Sequence, residues 1–142
     1  DWVIIELGHN DNGPYDSGRA RASIPGIGKD SLNVTIKETG VKETVYTYGE
    51  YMRRFINDVK AKGAHPILFS LTPRNAWADK DSTIITRVNK TFGLWAKQVA
   101  EEQNVPFIDL NDISARKFEK FGKNKVKYMF YIAFIPALLV PK

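Results

Sequence analysis

The chain has 142 residues, 43% of them hydrophobic and 26% charged, a composition that excludes collagen-like, disordered and multi-domain proteins. It contains no cysteine, which excludes a disulfide framework and a thiolate zinc site. Its net charge is +5, but the basic residues are scattered and their densest stretch, residues 116–127, is short, so we expect a solvated face there and no nucleic-acid partner.

The first predicted element is a buried strand over residues 2–7, because the run Trp-Val-Ile-Ile-Glu-Leu is mostly apolar, as strands of a parallel sheet are. Residues 8–11, Gly-His-Asn-Asp, then form a turn. Natural chains seldom open on such a strand, and this opening predicts a sequence that starts in mid-fold.

The stretch from 15 to 44 shows little helical periodicity, and we expect a long loop that is functional or an insertion. Within it, residues 33–36 and 43–46 flank Gly40 and predict a small β-hairpin. Residues 47–50, Thr-Tyr-Gly-Glu, fit a capping box and predict a helix that ends at Gly63. The predicted apolar stripe of that helix consists of Tyr51, Met52, Phe55, Ile56 and Val59.

The second predicted strand covers residues 66–71 and ends in the polar sequence Thr-Pro-Arg-Asn. A second helix is expected to begin at Asp81 or Ser82, either of which is a good N-cap, and to end near Asn104. Its predicted core stripe consists of Ile84, Ile85, Val88, Phe92, Trp95, Ala96 and Val99.

The third predicted strand, residues 105–110, precedes a helix that Asn111 or Asp112 caps. Its predicted stripe consists of Ile113, Ala115, Phe118 and Phe121. Because parallel neighbours need crossover connections, this alternation of strands and helices predicts an α/β domain with a parallel sheet wrapped by helices. Ligands bind such sheets at the carboxyl ends of the strands. Those ends are polar here: residues 8–11, 72–75 and 109–112.

Residues 128–140 form an almost wholly apolar run. Its length of about thirteen residues, with a proline inside, is below the ~20 residues that span a bilayer, so we expect no membrane span. We predict that residues 128–142 are an apolar tail that is not native to the domain. A frameshift near Tyr128 would produce it, or it is buried in a homo-oligomer of the chain.

The turn after the first strand carries the strongest chemical signal. Gly8 lets the backbone turn sharply, and the amide of Asn10 can donate a hydrogen bond to a developing oxyanion. The alternative is an ordinary Asx turn with no catalytic role.

Residues 2–11 resemble the third conserved block of the SGNH (GDSL-type) hydrolases, in which a strand delivers a Gly-x-Asn-Asp turn. The similarity extends in order along most of residues 1–127, through four further segments that resemble the rhamnogalacturonan acetylesterase branch. Those segments are residues 47–56, 60–68, 72–77 and 105–111.

This resemblance implies a three-layer α/β/α fold and a serine esterase, without metal or cofactor, that removes acetyl groups from pectic polysaccharide outside the cytoplasm, extracellularly or in the periplasm. Residues 1–127 would then be a partial SGNH hydrolase domain. Among the functional residues of the family, only two have counterparts in this sequence: Gly8 and Asn10, which the resemblance assigns to the oxyanion site. The family's Gly-Asp-Ser turn and its Asp-x-x-His segment are absent from the sequence, so we expect the chain itself to be inactive.

Arg74, Asn75 and Trp77 are candidate substrate-binding residues, since an arginine fork holds a sugar carboxylate and an indole ring stacks on a sugar. The alternative is a turn in which Arg74 pairs with Asp79 or Asp81.

Other arrangements of the polar residues are weaker candidates. A triad of Ser70, His9 and Asp11 is conceivable, but Ser70 lies in an apolar run, where a buried hydroxyl bonded to backbone is the simpler expectation. His65, at the start of a strand, is expected to be a surface or packing residue.

Two rival functions stay open at this point. The chain could be a non-catalytic remnant or a carbohydrate-binding domain on the esterase scaffold. Residues 8–11 also resemble, with His and Asn transposed, a metallophosphoesterase turn. A two-metal site of that class needs several more histidine and aspartate ligands, and only one other histidine, His65, is present.

Overall fold

The computed structural model describes residues 1–18, 22–78 and 83–134. Its elements, in chain order, are β1 (Trp2–Ile5), β2 (Ser31–Thr35), β3 (Lys42–Tyr46), α1 (Tyr48–Ala61), β4 (His65–Phe69), α2 (Phe92–Glu102), β5 (Phe107–Ile108), α3 (Leu110–Phe121) and α4 (Lys123–Phe134). They divide into two compact units. The first unit comprises Asp1–Leu71 and Val88–Asp109, and the second comprises Thr72–Arg87 and the chain from Leu110 onward.

The first unit contains a parallel sheet in the order β1-β4-β5, with Ile5 paired to Leu68 and Leu68 paired to Phe107. The predicted α/β class and its parallel sheet are therefore confirmed, although each strand is shorter than its apolar run suggested. β2 and β3 form the predicted antiparallel hairpin around Gly40.

Helices α1 and α2 both pack on β4. The core between them is centred on Ile56, Leu68 and Val99, none of which is measurably exposed. Phe55 departs from the predicted stripe because it is 43% exposed. Its ring lies at a cleft, described below, and not against β4.

The ends of α1 follow the predicted local chemistry. The Thr47 hydroxyl accepts a hydrogen bond from the Glu50 backbone N–H at 3.1 Å, as in a capping box. At the other end Gly63 has a φ of +74°. The Gly63 N–H donates to the Lys60 carbonyl at 2.9 Å and the Ala64 N–H donates to the Val59 carbonyl at 3.2 Å, which together form a Schellman motif.

The predicted start of the second helix is wrong. Asp81 and Ser82 lie outside the described residues, but α2 begins only at Phe92. Ile85 pairs instead with Trp77 in an isolated antiparallel bridge, and its N–H donates to Glu119 Oε1 at 2.9 Å. The backbone around Ile85 is therefore engaged outside a helix, and its apolar side chain is buried without one.

The second unit holds α3 and α4. Because α3 begins at Leu110, Asn111 and Asp112 lie inside its first turn and do not cap it as predicted. Gly122, at φ +77°, separates the two helices. α4 includes residues on both sides of the boundary predicted at residue 127, and that boundary stays a prediction. In the described part of the chain no helix is long and apolar enough to cross a bilayer.

Candidate active-site cleft

An open cleft of about 670 Å³ lies at the carboxyl end of β1, in the first unit. The segment that follows β1 forms one side of it, and the hairpin strand β3 and helix α1 form the other. Its lining consists of residues 6–11, 22–23, 43–46, 51–52 and 54–55. This is the strand end at which the sequence predicted a ligand site.

Gly8 turns the chain at the edge of this cleft with a φ of +127°, a conformation that L side chains rarely adopt. A Cβ at this position would lie 3.2 Å from ring atoms of both Tyr48 and Phe92. The Asp11 N–H closes the turn by donating to the Gly8 carbonyl at 3.1 Å. Gly8 is thus required both by its backbone conformation and by the two rings packed against it.

Asn10 lies within this turn, is exposed and lines the cleft. An exposed amide held at a tight turn can donate to a ligand atom without a further change of the backbone. Both residues that the sequence singled out for an oxyanion site, Gly8 and Asn10, therefore lie together in one turn at the cleft.

The buried side chain of Tyr48 contacts the segment that leads into this turn. Its hydroxyl donates to the Leu7 carbonyl at 3.2 Å, and its ring meets Phe92 edge to face with centroids 5.2 Å apart. Burial of the side chain, with a smaller effect of the Asp11 charge, raises the pKa of Tyr48, so the phenol stays protonated as a donor. The sequence did not indicate this role, because Tyr48 stood there only as a residue of the capping box and no local pattern reveals the partner of a tyrosine hydroxyl.

The cleft carries charges of both signs. Glu6 Oε1 lies 3.6 Å from His9 Nε2, and Asp11 is close by in the chain. On the α1 side the Arg54 guanidinium stacks 3.8 Å from the centre of the Tyr46 ring. These groups offer a sugar several hydrogen-bonding partners beside an aromatic wall.

Ser23 is a second residue that sequence analysis missed. It lines the cleft, is only 4% exposed, and among the described residues its hydroxyl has no hydrogen-bond partner. Buried hydroxyl groups are normally paired. The Ser23 hydroxyl oxygen itself is buried, so this structure does not expose it to a ligand in the cleft.

Ser70 has a different environment. It is 1% exposed and its hydroxyl donates to Asp109 Oδ1 at 2.7 Å. Among the described residues the cleft lining includes His9 and Asp11 but not Ser70. The geometry therefore gives the Ser70, His9 and Asp11 triad no support. Ser70 is buried as predicted, but its hydroxyl donates to a carboxylate side chain, whereas the sequence predicted a backbone partner.

The predicted substrate-binding residues Arg74, Asn75 and Trp77 belong to the second unit, and none of them lines the cleft. Trp77 Nε1 donates to Asn75 Oδ1 at 2.9 Å, which joins these two side chains. Arg74 and Asn75 are exposed. The carboxylates proposed as alternative partners of Arg74 lie outside the described residues, so the substrate-binding role of the three residues stays a prediction.

His65, the first residue of β4, is exposed, and its ring lies 4.9 Å from the Trp2 ring. It is the surface histidine that the sequence predicted, at the strand end opposite the cleft. Within residues 1–18, 22–78 and 83–134 no group of three or more histidine, aspartate or glutamate side chains is arranged to hold a metal ion.

Comparison with known proteins relates the cleft to a class of enzymes. Residues 1–129 match the model of the GDSL-like lipase/acylhydrolase family. The rhamnogalacturonan acetylesterase of Emericella nidulans is 31% identical over 130 residues, which are 92% of this chain and 51% of that protein. The probable rhamnogalacturonan acetylesterase YesY of Bacillus subtilis is 28% identical over 133 residues, which are 94% of this chain and 50% of YesY.

Among solved structures, the crystal structure of the Bacillus subtilis protein YxiM is 34% identical with a TM-score of 0.47, covering 54% of this chain and 21% of that one. The chain spans about half the length of the curated relatives it matches.

Proposed function

Because the chain belongs to the GDSL-like lipase/acylhydrolase family, we propose that it is part of a carbohydrate esterase that removes acetyl groups from rhamnogalacturonan. The observation that carries the proposal is the turn at the carboxyl end of β1, where Gly8 fixes the backbone and Asn10 faces an open cleft. The substrate class follows from the names of two relatives, both described as rhamnogalacturonan acetylesterases.

In the proposed reaction a serine hydroxyl passes its proton to a general base and attacks the acetyl carbonyl, whose oxygen becomes an oxyanion; the protonated base is then the general acid. The Asn10 amide donates a hydrogen bond to that oxygen and stabilises the transition state more than the bound ester. The sugar oxygen then leaves with a proton from the general acid, and water hydrolyses the acetyl-enzyme.

The nucleophile and its base come, in this proposal, from segments that these 142 residues do not contain. The chain by itself is then inactive towards esters, because a serine without its base is a poor nucleophile. The cleft residues of this chain supply the oxyanion donor and the surroundings of the sugar.

The cleft suits a sugar ester better than a long acyl chain. Its volume of about 670 Å³ admits more than an acetyl group, and its wall combines the aromatic rings of Tyr46 and Phe55 with exposed polar groups such as Asn10. Sugars are bound by this combination of an apolar face and convergent hydrogen-bonding groups. A polymer substrate of this kind also places the enzyme outside the cytoplasm.

A chimaera tests the proposal. Residues 1–127 would replace the matching segment of the Emericella nidulans enzyme, and the proposal requires that the remaining residues of that enzyme supply the nucleophile and the base. We expect hydrolysis of a chromogenic acetate and release of acetate from acetylated rhamnogalacturonan. A folded chimaera that binds the polysaccharide but hydrolyses neither ester would overturn the esterase proposal and favour a carbohydrate-binding domain.

A further inference from the structure

One stretch of the chain carries its whole excess of positive charge. Residues 116–127 hold six basic side chains and one acidic side chain, a balance of +5 that equals the net charge of all 142 residues. The other 130 residues contain fifteen basic and fifteen acidic side chains and are neutral overall. The six cations are Arg116, Lys117, Lys120, Lys123, Lys125 and Lys127.

All six cations are exposed. They belong to two consecutive helices, α3 and α4, that pack on each other in the second unit through a Phe118–Phe130 ring contact with centroids 5.8 Å apart. Two pairs, Arg116 with Lys120 and Lys123 with Lys127, have the four-residue spacing that places side chains on the same side of a helix. Lys117 and Lys125 lie further around their helices, roughly 100° from Arg116 and 200° from Lys123, so the cations surround the exposed sides of the two helices. We call these six exposed side chains together the basic face.

Both carboxylates of these helices are bound by Arg87, and one of them is shared with the basic face. α3 contains two acids, Asp112 and Glu119, and α4 contains none. Arg87 Nε donates to Asp112 Oδ1 at 3.2 Å and Arg87 Nη2 donates to Glu119 Oε2 at 3.0 Å. Asp112 also pairs with Arg116 at 3.1 Å. Arg87 adds a seventh positive charge beside these two carboxylates. The six cations, Arg87 and the two acids together therefore still carry an excess of positive charge.

The side-chain types indicate what kind of anion would bind. Five of the six cations are lysines, whose ammonium groups are mobile point charges without the fork by which arginine holds a phosphate in two hydrogen bonds. A group of exposed lysines therefore suits a polymer with repeated carboxylates that can bind in several registers, and it suits a specific phosphate site less well.

We propose that the basic face is a docking surface for an anionic polysaccharide whose sugars carry carboxylates. The choice of a uronic-acid polymer rests on the proposed function, because rhamnogalacturonan is the polyanion that the proposed enzyme meets. Binding along the polymer keeps one chain near many acetyl groups and raises their effective concentration at the enzyme.

The test measures binding, not catalysis, and uses the 142-residue chain. We expect it to bind immobilised polygalacturonate at low ionic strength, to be released as salt is raised, and to ignore a neutral galactan. The triple variant Lys117→Gln, Lys120→Gln and Lys125→Gln should bind about tenfold or more weakly. The matched control, Lys42→Gln, Lys62→Gln and Lys90→Gln, removes the same charge at three other exposed positions.

Equal weakening in the two triple variants would overturn the proposal, because overall charge and not the basic face would then govern binding. Absence of binding by the parent chain would overturn it too, as would tighter binding to duplex DNA or to vesicles of anionic lipid than to polygalacturonate. Circular dichroism verifies that each variant is folded. In the chimaera, the basic-face variant should hydrolyse the chromogenic acetate as fast as the parent chimaera does. A chimaera without esterase activity would refute the proposed function, but it would not affect the binding measured with the 142-residue chain.

Discussion

The Tyr48 hydroxyl donates a hydrogen bond to the Leu7 carbonyl at 3.2 Å. This bond ties the first residue of α1 to the peptide that directly precedes Gly8, across 41 positions of sequence. Asn10 lies two residues after Gly8. The orientation of Asn10, the candidate oxyanion donor, therefore depends on α1, a helix that lies far from it in sequence.

Tyr48→Phe tests this dependence, because it keeps the ring packing and deletes only the hydroxyl. We expect a loss of about 0.5–1.5 kcal/mol in the free energy of unfolding, measured by urea denaturation of the 142-residue chain. In the chimaera kcat should fall while KM changes little, because the Asn10 donor acts on the transition state. A change in stability with an unaltered kcat would reduce Tyr48 to a packing residue.

Gly8→Ala should destabilise the chain by about 1–3 kcal/mol, because the new Cβ meets the Tyr48 and Phe92 rings at 3.2 Å and the positive φ adds strain. Gly40→Ala is the matched control. Its φ of +70° is also positive, but nothing lies within 4 Å of its Cβ position. The expected cost there is only about 1 kcal/mol from the backbone. Equal midpoints in urea for the two variants would contradict the packing argument at Gly8.

Asn10→Ala in the chimaera should lower kcat on a chromogenic acetate by roughly 10²-fold with little change in KM, as expected when one oxyanion donor is removed. Asn12→Ala is the control, since Asn12 is exposed in the same loop but does not line the cleft. If both variants keep full turnover, Asn10 has no catalytic role.

The 142-residue chain alone should show no hydrolysis of acetyl esters above the rate in buffer, because it contains neither the Gly-Asp-Ser turn nor the Asp-x-x-His segment of its family. Release of acetate from acetylated pectin and from a chromogenic acetate measures this. Turnover that Ser70→Ala abolishes would show instead that the chain has a nucleophile of its own.

Acid should weaken the second unit through Glu119. Its hydrogen bond with Arg87 holds the pKa of Glu119 below its usual value. A carboxylate with a depressed pKa stabilises the fold at pH values above its unfolded pKa of about 4.3, and that stability is lost as the pH falls through the lower folded pKa. Glu119→Gln should therefore lower stability at pH 7 and make it less dependent on pH below about 4.5.

Urea midpoints between pH 3 and pH 7 measure that dependence. Glu101→Gln is the control, because Glu101 is an exposed partner of Lys97 at 3.7 Å, and such surface pairs contribute little. An acid dependence that Glu119→Gln leaves unchanged would contradict the assignment.

Local chemistry allowed several features to be predicted from the sequence alone. The capping box at Thr47 and the left-handed residue Gly63 set the ends of α1, since both depend on hydrogen bonds between near neighbours. The apolar runs marked strands of a parallel sheet, and the turn with Gly8 and Asn10 followed from the first run. The family was also evident, because ordered motifs along the chain are a property of the sequence.

Only the tertiary structure decided which groups from distant segments of the chain contact each other. An apolar stripe that includes Ile85 predicts a helix, but the β-bridge opposite Trp77 and the hydrogen bond of the Ile85 N–H to Glu119 hold Ile85 outside one. A serine in an apolar run does not reveal that its partner is Asp109, nor does a tyrosine reveal a bond to Leu7. Periodicity reports which side chains are buried, whereas the partner of a buried polar atom is set by whichever segment the fold brings to it.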